Sequence, residues 1–198
     1  KLLPEDTDLF LIDGALDRRS SAIPSLSHGM VLATGAVVGN TVDLIVQRTV
    51  DEVERMTLTS SIDKGINLMV SEILEKGRSG LIRENKITVF NNSVLGSVSE
   101  SDYKYVKQND ILVLNGALID TLVESLILEF DVEGCTLIVR DGTRVFLNTR
   151  NMNLLKKKNI TLRVHEPVKL IAVTVNPYSP YGICVDSNLL VNTLKHSL

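Results

Sequence analysis

Short apolar runs that close on a polar residue and a glycine recur along this chain, with helical patterns between them. Asp8-Leu9-Phe10-Leu11-Ile12-Asp13 stops at Gly14, and Met30-Val31-Leu32-Ala33 runs into Thr34-Gly35-Ala36. Asp110-Ile111-Leu112-Val113-Leu114 stops at Asn115-Gly116-Ala117, and Cys135-Thr136-Leu137-Ile138-Val139 stops at Arg140-Asp141-Gly142. A strand that is apolar at every position belongs in a sheet covered on both faces, which is the habit of parallel sheets. A glycine at the strand end lets the chain turn sharply and lets a ligand or another backbone come close. The unequal spacing argues against a repeat protein and for one chemistry reused at strand carboxyl ends, where open α/β sheets bind their ligands.

The intervening segments read as helices. Val42, Leu44, Ile45, Val46, Val50, Val53 and Met56 line one face of an amphipathic helix over 41–57, with Asn40 as its N-cap. Residues 62–83 hold a helix stopped near Gly77, 86–90 are strand-like, and 91–109 are polar with a short helix at 101–107. A helix over 119–129 turns Leu122, Val123, Leu126 and Ile127 inward, with Asp120 as its cap. A helix over 151–158 with a basic end, strands at 160–164 and 170–175, and a terminal helix over 186–196 complete the pattern. This alternation predicts an α/β fold, a largely parallel sheet with helices on both faces. It is expected to form one domain over 1–198, with 60–109 as a candidate insertion. The missing initial Met and the early first strand suggest the C-terminal part of a longer protein.

Composition removes several classes of function. With 21 Lys+Arg against 24 Asp+Glu the net charge is −3, which draws the chain neither to nucleic acid nor to an anionic membrane. Trp is absent and aromatics are 4%, too few for a base-stacking platform. No apolar run is long enough to span a bilayer. Cys135 and Cys184 cannot make a disulfide framework and read as reduced, buried, intracellular thiols, which fits a cytoplasmic protein.

Three segments could carry chemistry; in one, Asn115 to Asp120, exposed helix amides could meet an anion, the plainer alternative being that Asp120 simply caps the helix. In Asp8 to Ala22 a carboxylate, Asp13, closes an apolar strand, and Gly14, Asp17, Arg18, Arg19 and two serines follow. A carboxylate in that place can hold Mg²⁺, directly or through water, while Arg18 and Arg19 meet phosphate or an acidic partner. The plainer alternative is a turn capped by Asp13 and paired with Arg18 or Arg19. In Val173-Thr174-Val175-Asn176-Pro177-Tyr178-Ser179-Pro180-Tyr181-Gly182, Asn176 could read a base edge, with Tyr178 or Tyr181 stacking on a ring. Its alternative is a stiff turn between the last strand and the last helix. His28, His165 and His196 form no metal-ligand spacing, and Lys156-Lys157-Lys158 reads as a solvated helix end. The phosphate loop G-x-x-x-x-G-K-[ST] is absent, so this chain alone offers at most part of a P-loop-like site.

The segments DGALDRRSSA, LATGAV ahead of the long amphipathic helix, LNGALIDTLVESL and VTVNPYSPYG together resemble one family. It is the P-loop-type reactivating-factor component associated with B12-dependent lysine 5,6-aminomutase and ornithine aminomutase. More broadly, the acidic strand end followed by Gly-Ala resembles dethiobiotin-synthetase-like P-loop NTPases. The resemblance implies a P-loop-NTPase-like fold whose phosphate loop lies ahead of this region, and ATP or GTP with Mg²⁺ as ligand. It implies Asp13 near the metal and Asn176 near the base. It further implies a protein partner, a cobalamin-dependent aminomutase in amino acid fermentation, served by a chaperone-like cycle. Two alternatives stand beside it: a ligase- or transferase-like enzyme with its substrate above Gly14, Gly35, Gly116 and Gly142, and a non-catalytic interaction domain. A homo-oligomer is compatible with all three.

Overall fold

The computed structural model describes residues 9–13, 19–60, 63–90 and 106–198. Its centre is a five-stranded mixed sheet in the order β3-β2-β4-β6-β8. β4 (Ile111–Leu114), β6 (Thr136–Val139) and β8 (Thr161–Val164) are parallel, and β2 (Gly80–Arg83) and β3 (Lys86–Val89) form an antiparallel hairpin beside β4. The hairpin turns on Glu84 and Asn85, both at positive φ.

Helices cover both faces, because the central strands are apolar at successive positions. Leu112, Leu114, Leu137 and Val139 pack against Leu122, Val123 and Leu126 of α3 (Asp120–Glu129) and Met152 and Leu155 of α4 (Thr149–Lys157). Val113 and Ile138 point the other way, onto Val70, Ile73 and Leu74 of α2 (Lys64–Glu75). Ile111, Thr136 and Thr161 stand abreast and are equally spaced along the chain. β4 and β6 are each followed by a short strand, β5 (Leu118–Ile119) and β7 (Val145–Phe146), paired in parallel, and then by a helix. The unequal glycine spacing conceals this duplicated strand–strand–helix unit.

β1 (Met30–Gly35) and β9 (Leu170–Asn176) form a separate two-stranded parallel ribbon. One face carries α1 (Val42–Met56) and α5 (Ser187–Ser197), joined by Ile45, Val46, Leu190 and Leu194. The cap of α1 is Thr41, whose hydroxyl accepts from Leu44 N at 3.3 Å, rather than Asn40.

The ribbon joins the larger sheet at the carboxyl end of β8. Residues 165–169 lead from the carboxyl end of β8 into the amino end of β9. Ala22, Met56 and Val168, with Met30 against them, fill the joint. Val164 N also donates to Thr59 O at 3.0 Å, so the α1–α2 connection lies along the outer edge of β8.

Three expectations change. Residues 9–13 form no strand, and Leu9, Phe10, Leu11 and Ile12 are exposed; among the described residues β1 and β9 pair only with each other, and this run joins neither. The sheet is mixed, because β2 and β3 enter it antiparallel. Cys184 is exposed, whereas Cys135 is fully buried. The expected helix at 101–107 falls largely outside the described residues.

Candidate functional site

The carboxyl ends of β1 and β9 are locked at one level. Gly35 stands opposite Asn176, and Ala36 N donates to Asn176 O at 2.9 Å. Gly35 has φ +151°, and a Cβ there would lie 1.8 Å from Asn176 O. Only glycine permits that approach. Below it, Thr34 and Thr49 share a buried hydroxyl–hydroxyl bond of 2.6 Å that ties β1 to α1.

Asn176 then organises the turn beyond β9. Its Oδ1 accepts from Tyr178 N at 3.0 Å. Ser179 N donates to Ile183 O at 2.8 Å, Val185 N donates to Pro177 O at 3.0 Å, and Gly182 turns at φ +83°. The stiff-turn reading of this loop therefore holds, and the turn leaves the rings of Tyr178 and Tyr181 exposed. Across from it, residues 36–41 carry β1 into α1, with Val38 N donating to Gly35 O at 3.0 Å and the Arg48 guanidinium donating to Val38 O. A strand end, a glycine loop and the amino end of a helix thus adjoin the backbone of Asn176, and the turn that follows carries two exposed rings. Asp43 lies in the first turn of α1, so an anion approaching there needs an accompanying cation.

The other strand ends lie elsewhere. A Cβ on Gly142 would lie 2.5 Å from Met56 O, at the carboxyl end of α1, and Met30, at the start of β1, packs against Met56. The length of β1, about 16 Å at the usual rise, separates this joint from Gly35. Gly35, Gly116 and Gly142 therefore do not overhang one cleft.

Most polar side chains in the joint are held by neighbouring groups, while Asp141 Oδ2 and His165 Nδ1 are buried without a hydrogen-bond partner. Asp141, 0% exposed, accepts from Thr143 N at 2.9 Å and from the Thr143 hydroxyl, and its Oδ2 faces Arg144 Nε at 3.7 Å. Arg144 also donates to Asn115 O at 2.7 Å. Arg140 donates to Leu74 O at 3.0 Å and reaches Glu166 at 3.4 Å. Asp120 does not cap its helix. Its Oδ1 accepts from Asn148 N at 3.0 Å and Asn151 Nδ2 at 2.7 Å, fastening α3 to the start of α4.

The remaining predicted residues are dispersed. Asp13 lies in the exposed, strandless stretch 9–13, and Arg19 opens a 3-10 turn, Arg19–Ala22. Gly14 and Arg18 lie outside the described residues. His28 and His196 are exposed, and Lys156 pairs with Glu54 on α1. Among the described residues no group of three His, Cys, Asp or Glu side chains is placed to hold a metal ion. A groove of about 460 Å³ lies at the amino end of β8, lined by Leu58, Met152, Leu155, Ile160 and Leu162, away from every predicted site residue.

Sequence reasoning missed one electrostatic centre. Asp110, nearly buried, takes Nε of Arg83 at 2.7 Å, Nη2 at 2.5 Å and Lys107 N at 2.7 Å. Burial alone would raise its pKa, yet the Arg83 and Lys107 hydrogen bonds outweigh it and hold the carboxyl below its usual range. Burial raises the Cys135 thiol, which keeps it protonated and unreactive. No motif marks the Arg83–Asp110 pair, because its partners are far apart in sequence.

No family model matches the chain, and neither a curated protein nor a solved structure is similar to it. Among the described residues no helix is long and apolar enough to cross a membrane.

Proposed function

We propose that this chain is part of a nucleotide-linked accessory protein that binds ATP or GTP with Mg²⁺ at the open end of the β1–β9 ribbon. The observation that carries this reading is the pairing of Gly35 with Asn176 where β1 enters α1. A glycine turn between strand and helix suits phosphate, and the adjacent strand supplies a side-chain amide for a base edge. Tyr178 and Tyr181 offer rings for stacking. The P-loop-NTPase-like character rests on the sequence resemblance, as do a cobalamin-dependent aminomutase as protein partner and a reactivating role. Asp13 near Mg²⁺ rests on the resemblance and on the strand-end segment 8–22, Gly14, Arg18 and Arg19 near phosphate on that segment, and a cytoplasmic setting on the two cysteines. In that role the nucleotide must bind two states of the protein with different affinity, since tight binding alone shifts nothing.

Calorimetric titration of Mg²⁺–ATP and Mg²⁺–GTP into the chain and its Asn176→Ala and Asp13→Ala variants tests the proposal. The expected result is binding of one nucleotide, weakened about tenfold by loss of the Asn176 hydrogen bonds, roughly 1.4 kcal/mol, and Mg²⁺-dependent weakening in Asp13→Ala. Equal titration of all three proteins, or no heat with either nucleotide, rejects it.

A further inference from the structure

We infer that the β1–β9 ribbon pairs with a second copy of this chain, which adds its own residues 9–12 as a strand beside β9. The ribbon has open edges among the described residues, and apolar side chains stand in solvent on it: Val31 is 54% exposed and Ile171 64%. A two-stranded parallel ribbon covered on one face is an incomplete sheet.

The larger sheet shows how this chain protects an edge that stays free. β3 is short and begins with Lys86, while residues 59–60 run along the end of β8, where Arg163 donates to the Thr59 hydroxyl. Lysine, brevity and a covering segment are the usual safeguards against unwanted pairing. β9 has none of these three: Leu170-Ile171-Ala172-Val173-Thr174-Val175-Asn176 carries no charge and no proline, and although its register shifts at Ile171, opposite Met30–Val31, Ala172–Asn176 run on in regular register. An edge this long and apolar invites another strand.

The same chain holds such a strand without a sheet. Leu9, Phe10, Leu11 and Ile12 are 73%, 58%, 82% and 46% exposed, uncharged and rich in strand-forming residues. One copy leaves both halves of the pairing unused. Two copies related by a two-fold axis supply each other's missing half, as a closed, self-complementary exchange requires. The occupant is thus a second copy, because its own residues 9–12 are apolar, uncharged, exposed and in no strand, and could pair along part of this edge.

Light scattering on the full chain, eluted from a sizing column, reads the pairing. The expected mass is twice 21.8 kDa. Leu11→Asp and Ile171→Asp should each halve it without changing the circular dichroism, since both side chains stand in solvent in the single copy. A Leu11→Cys, Ile171→Cys double variant with Cys184→Ser should oxidise to a dimer on a non-reducing gel. A monomeric parent chain, a dimer that survives both substitutions, or a disulfide formed within one chain overturns the proposal. None of these readings depends on nucleotide.

Discussion

The five-stranded sheet and the β1–β9 ribbon end their strands with the same kind of sequence and use it in opposite ways. In the larger sheet, Asp141-Gly142 is buried against the carboxyl end of α1, and Asn115 is held by Arg144. Most polar groups there are engaged in the joint between the two sheets, with Asp141 Oδ2 held only by the Arg144 charge at 3.7 Å. In the ribbon, Thr34-Gly35 meets Asn176 at an end that no other strand covers among the described residues. A polar residue and a glycine after a strand mark a close backbone approach in both places. Whether that end is structural or available to a ligand depends on what packs beyond it, which is a tertiary property.

Substitutions at the two glycines sharpen this contrast most. Gly35→Ala sets a Cβ against Asn176 O and a strained φ, and should cost about 3 kcal/mol. Native-state hydrogen exchange should then report opening of β1, β9 and α5 while β4 and β6 stay protected. Gly142→Ala presses on Met56 O, and a loss of about 2 kcal/mol in urea unfolding should open both sheets together, because the joint is shared. Identical exchange patterns for the two variants would break the distinction.

Next in size is the Arg83–Asp110 pair, which belongs to the larger sheet alone. Arg83→Ala leaves a nearly buried carboxylate without its guanidinium, and should cost about 3 kcal/mol, discounted toward 2 because Arg83 is partly exposed. The Asp110 carboxyl is held below its usual value of 3.8. Its contribution is therefore complete above that value and disappears as pH falls through the lower, folded-state value. The stability gap between the parent chain and Asp110→Asn should narrow in acid and hold steady above pH 5, as measured by urea titration across pH. A smaller effect marks the ribbon: Thr49→Val removes the buried bond to Thr34 and should cost about 1 kcal/mol in the same assay.

Much of the framework was legible in the sequence. The helix expected over 41–57 is Val42–Met56, that over 119–129 is Asp120–Glu129, and the terminal one over 186–196 is Ser187–Ser197. Their apolar faces repeat at helical spacing, and for two of the three the structure places a capping side chain just ahead of the helix, Thr41 and Asp186. β5 and β7 escaped because two residues carry no periodicity, and β2 because it follows α2 within a few residues. Residues 9–13 look like a buried strand and are exposed, since an apolar run records only the capacity to pair. Of the candidate site, Asn176 stands at a strand end beside a glycine loop, whereas Asp13 does not lie at the end of a buried strand. The role of Asp120 was misread because a capping residue and a cross-helix acceptor look alike until the neighbouring helix, with Asn148 and Asn151, is in place.

The most direct measurement of the central claim is a map of backbone amide shifts on adding Mg²⁺–ATP or Mg²⁺–GTP to the isotope-labelled chain. The open ribbon end predicts perturbations gathered at residues 35–43 and 176–182, with the joint at 140–144 and 165–166 unmoved. Shifts centred on the joint, or none anywhere at millimolar nucleotide, would contradict it.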